Sequence, residues 1–180
     1  TMTPTVTTSV TPTVTPTQSE PVAANGAIYS SSWSNETRQL NSIGGYGWAF
    51  TDNTDNVTGV ATNGETLQTI VTCSWDGTLR KLNYVGEEVW SVYVGGLLSS
   101  VAIDADGNVY TGSNSNLVYK YNTDGIHVWT FAGHSGNVNS VAVDVDGNVY
   151  SASVDNTVRK IGPNGNQIWS FSDSQMKDFD

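Results

Sequence analysis

Several features are scarce in this chain of 180 residues. It has one cysteine, two histidines, and seven lysines and arginines against seventeen acidic residues. A single cysteine excludes a disulfide framework. A formal charge of −10 argues against nucleic acid, because neutralising phosphates needs a basic face. It argues equally against anionic lipid surfaces. No apolar run approaches the roughly eighteen residues of a membrane span, so no membrane insertion is expected. No secretory leader is legible, and the opening Thr1-Met2-Thr3 leaves export undecided. Only 13% of residues are charged, so Thr, Ser, Asn and Gly must solvate the surface. Secreted and surface-layer proteins often share that composition, which sets the expected location as extracellular or at a cell surface. Cys73 lies in the apolar stretch Leu67–Ser74 with no His or Lys close in sequence, and reads as a buried, inert thiol.

The chain does contain a unit of about forty residues written four times. Its anchor is Gly-x-x-x-Trp, at Gly44…Trp48, Gly86…Trp90, Gly125…Trp129 and Gly165…Trp169, with tryptophans 42, 39 and 40 residues apart. Units three and four align closely: Ser99–Ser113, Leu117–Tyr121 and His127–Phe131 match Asn139–Ser153, Thr157–Ile161 and Gln167–Phe171. Each reads as four short strands separated by tight turns. Asp-Gly-Asn at 106–108 and 146–148 supplies the positive φ that a hairpin needs. The second unit follows as Val57–Ala61, Leu67–Cys73, Thr78–Leu82 and Val89–Val94. The first follows as Val22–Ala24, Ile28–Ser32, Thr37–Leu40 and Gly47–Phe50, with a stunted leading strand.

Four antiparallel strands per repeat describe a propeller blade. The run Asp-Gly-Asn-Val-Tyr-Thr-Gly-Ser at 106–113, then Val118-Tyr-Lys-Tyr121, then Gly125-Ile-His-Val-Trp129, resembles the repeat of quinoprotein-type propellers with their tryptophan-docking motif. Unit four also resembles a WD40 repeat through Gly133-His-Ser-Gly-Asn-Val-Asn-Ser-Val-Ala142 and Ser151–Ile161, although Ile161-Gly162 stands where the closing Trp-Asp would be. The resemblance covers about residues 20–172. It implies that Trp48, Trp90, Trp129 and Trp169 lie flat between neighbouring blades. Each indole would bury on the order of 200 Å², worth several kcal/mol at about 25 cal/mol/Å². The quinone chemistry of those enzymes is not carried over, since nothing here matches a dedicated cofactor site. The expected fold is all-β: a β-propeller-like array of four four-stranded blades over residues 20–180, with an extended N-terminal arm over residues 1–19. A closed four-bladed ring, an eight-bladed dimer and an open stacking array are all compatible with four units. The closed unit, linked head to tail by the arm, is the expectation adopted.

The arm obeys its own rule. Every odd position from Thr1 to Thr17 is Thr or Ser, and Pro4, Val6, Val10, Pro12, Val14 and Pro16 fall on the alternate edge. Strict alternation describes an extended segment with one apolar and one hydroxyl edge. The prolines exclude a central strand. A disordered linker, an O-glycosylated stalk modified at Thr3, Thr5, Thr7, Thr11, Thr13, Thr15 and Thr17, and a donor arm lying on a second copy all fit this pattern. Seventeen extended residues reach about 55 Å, more than the ~40 Å breadth of a 160-residue domain. Two further acceptor triplets, at Asn35 and Asn56, invite N-glycosylation if the chain is exported.

Chemistry is sparse. His127 lies in a strand beside Trp129, and His134 in Gly-His-Ser reads as a turn brace; neither suggests a catalytic pair, and no enzyme activity is expected. Asp104-x-Asp106-Gly-Asn108 and Asp144-x-Asp146-Gly-Asn148 place alternating carboxylates beside a glycine turn, the one pattern here suited to Ca²⁺. Hairpin chemistry explains the same residues, and no other cofactor is expected. The function read from the sequence is a non-enzymatic extracellular structural subunit that self-associates into a homopolymer through its arm. A propeller module on a glycosylated stalk, binding a protein or carbohydrate, is the alternative.

Overall fold

The computed structural model describes residues 28–41, 45–63 and 69–172. The arm, with its six apolar edge residues and seven candidate threonines, lies outside the described residues, as does the strand expected at Val22–Ala24. The described chain is all-β and forms four antiparallel meanders. The first sheet holds β1 (Ile28–Ser31), β2 (Thr37–Leu40) and β3 (Tyr46–Phe50). The second holds β4 (Val57–Asn63), β5 (Thr69–Ser74), β6 (Thr78–Leu82) and β7 (Glu88–Tyr93). The third holds β8 (Leu98–Ile103), β9 (Val109–Ser113), β10 (Val118–Tyr121) and β11 (His127–Phe131), and the fourth β12 (Val138–Val143), β13 (Val149–Ser153), β14 (Thr157–Ile161) and β15 (Gln167–Ser172). The expected fourth strand of the first blade is therefore not among those described.

Sheets stack in chain order. β1 packs on β4, β4 on β8, and β8 on β12. Each interface encloses its own core. Phe50, Ile70 and Leu82 fill the first. Val71, Cys73, Leu79, Leu98, Val101, Val109 and Tyr121 fill the second. Tyr110, Val118, Phe131, Val138, Val141, Val149 and Ile161 fill the third. Short strands with apolar residues on both faces produce this arrangement: in β5 and β9 nearly every residue is buried, because both faces meet a neighbouring blade.

A bulge recurs at one place in three blades. Register slips between Val57 and Gly59, between Leu98 and Ser100, and between Val138 and Ser140. Bulges sharpen local twist and re-aim the extra side chain. Here the extra residues are Thr58, Ser99 and Asn139. Thr58 Oγ1 donates to the Leu98 carbonyl, 2.7 Å away, and Ser99 Oγ donates to the Val138 carbonyl, tying each inner strand to the next.

Among the described residues the first and fourth sheets are not joined by strand packing of this kind. The closed ring expected from four units is thus not built by these strand contacts among the described residues. On the fourth blade the trailing face keeps Val158, Trp169 and Phe171 partly in solvent.

Burial decides the state of the single thiol. Cys73 is fully enclosed, with Thr58 Oγ1 3.4 Å from its sulfur, and burial pushes its pKa up to about 12. The native protein should therefore react with Ellman's reagent at pH 8 at least about a hundredfold more slowly than the urea-unfolded chain, because only the thiolate attacks. Equal rates in the two states would contradict the enclosed position.

Candidate functional site

The recurring joint between blades is the structural unit from which a functional surface can be built. Trp48 Nε1 donates to the Tyr84 carbonyl at 3.0 Å, Trp90 Nε1 to Thr123 at 3.0 Å, and Trp129 Nε1 to Pro163 at 2.9 Å. Each acceptor sits in the last turn of the following blade. The glycine of that turn lies against the indole: a Cβ on Gly86 would stand 2.6 Å from the Trp48 ring, and one on Gly125 or Gly165 3.0 Å from Trp90 or Trp129. All three glycines have φ near +80°, so both the turn and the ring require the absence of a side chain. In the sequence their counterpart in the first unit is Gly44, outside the described residues.

Trp169 adopts the same pose without the same partner. Its ring lies 6.1 Å from Tyr150, as the Trp129 ring lies 6.1 Å from Tyr110. No following turn meets it among the described residues, and it is 40% exposed. Its neighbours show the same difference. Val118 is 0% and Phe131 7% exposed, whereas their equivalents Val158 and Phe171 are 39% and 40% exposed. The docking role expected for Trp169 is thus half built.

The structure also brings together a cluster that sequence order does not suggest. His134 Nε2 lies 2.7 Å from Ser151 Oγ, and His134 Nδ1 lies 2.9 Å from Asp155 Oδ2. These are the contacts of a hydrolytic triad. However, Ser151 is 1% exposed and presents no oxygen to solvent. The network instead closes a turn: Asp155 also accepts from the Ser135 amide at 3.0 Å and from Thr157 Oγ1 at 2.6 Å. Gly133-His134 eighteen to twenty-two residues before Ser151…Asp155 was the available signal. The second blade solves the same problem with Asn53, which accepts from Arg80 at 2.8 Å, while Arg80 pairs with Asp76 at 3.1 Å. His127 reaches Thr130 Oγ1 at 2.8 Å on the exposed side of β11.

The calcium candidates are turn braces. Asp104 accepts from the Asn108 amide, Asn108 Nδ2 and Tyr110 Oη, each at 2.8 Å. Asp144 repeats the pattern with Asn148 and Tyr150. Among the described residues no three His, Cys, Asp or Glu side chains converge as a metal site. Asn35 and Asn56 are half-buried at turns. Asn35 has φ of 64°, and its carbonyl accepts from Asn53 Nδ2 at 3.2 Å. The carbonyl of Asn56 accepts from the Trp75 amide at 2.9 Å.

Four-strand meanders stacked through docked tryptophans define a propeller-type repeat protein. The chain belongs to the family described as outer membrane protein assembly factor BamB, whose model matches residues 75–179. A second family model, the WD domain, G-beta repeat, matches residues 46–81. That stretch carries the Asn53–Arg80–Asp76 brace; the resemblance noted in the sequence fell on the fourth unit, which carries the His134 brace. No curated protein matches the chain.

Two predictions follow from this geometry. Trp129→Ala should cost about 3–5 kcal/mol in urea unfolding, as a large aromatic is removed from a packed joint. Trp169→Ala should cost less than half as much, and equal losses would refute the asymmetry of the joints. The second concerns acid. Hydrogen bonds from Asn148 hold the Asp144 carboxyl down at about 2. At Asp155 burial pushes the carboxyl up, but hydrogen bonds from Thr157, the Ser135 amide and His134 outweigh it and leave it below the usual range. Carboxyls lowered by folding stabilise the native state above the unfolded pKa of about 4, and that contribution is lost as pH falls toward 2. Stability measured by urea at stepped pH should decline across that window. Asp155→Asn should flatten the decline and cost about 1–3 kcal/mol at pH 7; an unchanged slope would count against the brace.

Proposed function

We propose that this chain is a non-enzymatic extracellular structural protein, a subunit of a filament or surface assembly joined head to tail. One observation carries the reading: the fourth blade displays the docking half of a joint whose complete form occurs three times within the molecule. Tyr150, Val158, Trp169 and Phe171 occupy the positions through which the third blade grips the fourth. The occupant that fits this face is a blade, supplied by a second copy of the chain. A contact between different faces of identical subunits does not close on itself and propagates.

In this reading the arm reinforces the contact. Pro4, Val6, Val10, Pro12, Val14 and Pro16 would lie along the neighbouring subunit, with the alternate threonines outward and open to glycosylation. The low charge and hydroxyl-rich composition support a location outside the cell. A second reading, a binding module on a glycosylated stalk, is favoured by the cleft described below.

Size-exclusion chromatography with light scattering, together with negative-stain imaging, tests the proposal on the full chain. The parent protein should form species that lengthen with concentration. The double variant Trp169→Ser/Phe171→Ser should remain folded by circular dichroism and stay monomeric, and removal of residues 1–19 should weaken the same association. A monomeric parent, or undiminished assembly in the double variant, would overturn the reading.

A further inference from the structure

Two tryptophans, Trp33 and Trp75, lie outside the docked joints. Trp33 and Trp75 occupy equivalent turns of the first two blades, where the third and fourth blades carry Asn114 and Val154. Their rings meet edge to face, with centroids 5.4 Å apart at 67°. Trp33 is 79% exposed, an unusual position for the largest apolar side chain. Among the described residues neither indole N–H has a hydrogen-bond partner, in contrast to the bonded Trp48, Trp90 and Trp129.

The pair forms one wall of a cleft of about 350 Å³ lined by Ser31, Val57, Thr58, Ser99 and Asn139. Thr58, Ser99 and Asn139 are the bulged residues of β4, β8 and β12. The repeated bulge thus aims one small polar side chain from each of three blades into a single opening. Thr58 and Ser99 donate their protons to backbone carbonyls, so toward a ligand they serve as acceptors. Ser31 Oγ and the Asn139 amide make no hydrogen bond among the described residues.

No lining residue is ionisable. A phosphate or carboxylate finds no cation there, and a cationic ligand finds no carboxylate. The complementary ligand is uncharged, carries many hydroxyls, and has a flat apolar face. We propose that this cleft binds a neutral saccharide chain. A pyranose ring stacks its C–H face on Trp33 or Trp75, and its hydroxyls exchange hydrogen bonds with the indole N–H groups, Ser31, Asn139, Thr58 and Ser99. This site is separate from the open joint on the fourth blade and does not depend on assembly.

The full chain should be titrated with cellohexaose, chitohexaose and mannohexaose, each followed by tryptophan fluorescence and calorimetry. At least one should shift the emission saturably at concentrations up to about 5 mM. Trp33→Ala should weaken that affinity by about tenfold or more with an unchanged thermal midpoint, Trp75→Ala by a similar factor, and Asn139→Ala by about threefold. Trp169→Ala should bind as the parent does, which separates failure of this site from failure of the assembly reading. The proposal is overturned if none of the three saccharides binds, or if binding survives both tryptophan substitutions. It is also overturned if a synthetic peptide of residues 1–19 binds at Trp33 and Trp75 and the saccharides do not.

Discussion

The contact on which the molecule depends is an indole laid against a glycine turn. A blade of three or four short strands cannot bury its faces alone, and a single hairpin sheet is marginal in water. Each docked tryptophan solves this by covering the next blade's turn while its N–H closes on a carbonyl that the tight turn leaves unpaired. The ring supplies apolar area and the hydrogen bond fixes its orientation. Stability is then close to a sum of blades and nearest-neighbour joints, as in other repeat proteins.

With few charges, the chain fixes its turns by short hydrogen-bond clusters. Asp104 and Asp144 each gather an amide, an asparagine side chain and a tyrosine hydroxyl. Lys120 and Lys160 lie over the rings of those tyrosines, at 5.2 Å and 5.1 Å. His134 and Asp155 hold the fourth blade as Asn53, Arg80 and Asp76 hold the second. Acidic groups therefore serve as acceptors inside turns. The assembly surface and the cleft are left to apolar and neutral polar side chains, so the two proposed contacts involve no charge.

Much of the array was legible before any coordinates. The Gly-x-x-x-Trp spacing located every joint, and strands β6, β11 and β14 fall at the residues expected from turn chemistry. Other elements were less readable. β7 runs Glu88–Tyr93 where Val89–Val94 was expected, because a strand's ends depend on its pairing with β6. The sequence suggested His134 as a turn brace but not its partners Ser151 and Asp155, which lie on the β13 hairpin and meet it only through strand register. The cleft was missed for a similar reason: nothing in Thr58, Ser99 and Asn139 announces that a bulge turns all three toward one opening.

The sequence by itself determined the period, the strand-and-turn grammar and the chemical identity of each joint, because those follow from local spacing and from the demands of glycine turns. Only the tertiary structure decided which copies of the motif are satisfied. Trp129 and Trp169 are written in the same words, yet among the described residues one is covered by a following turn and the other is not. That difference depends on the presence of a neighbouring blade, which no residue encodes within its own repeat.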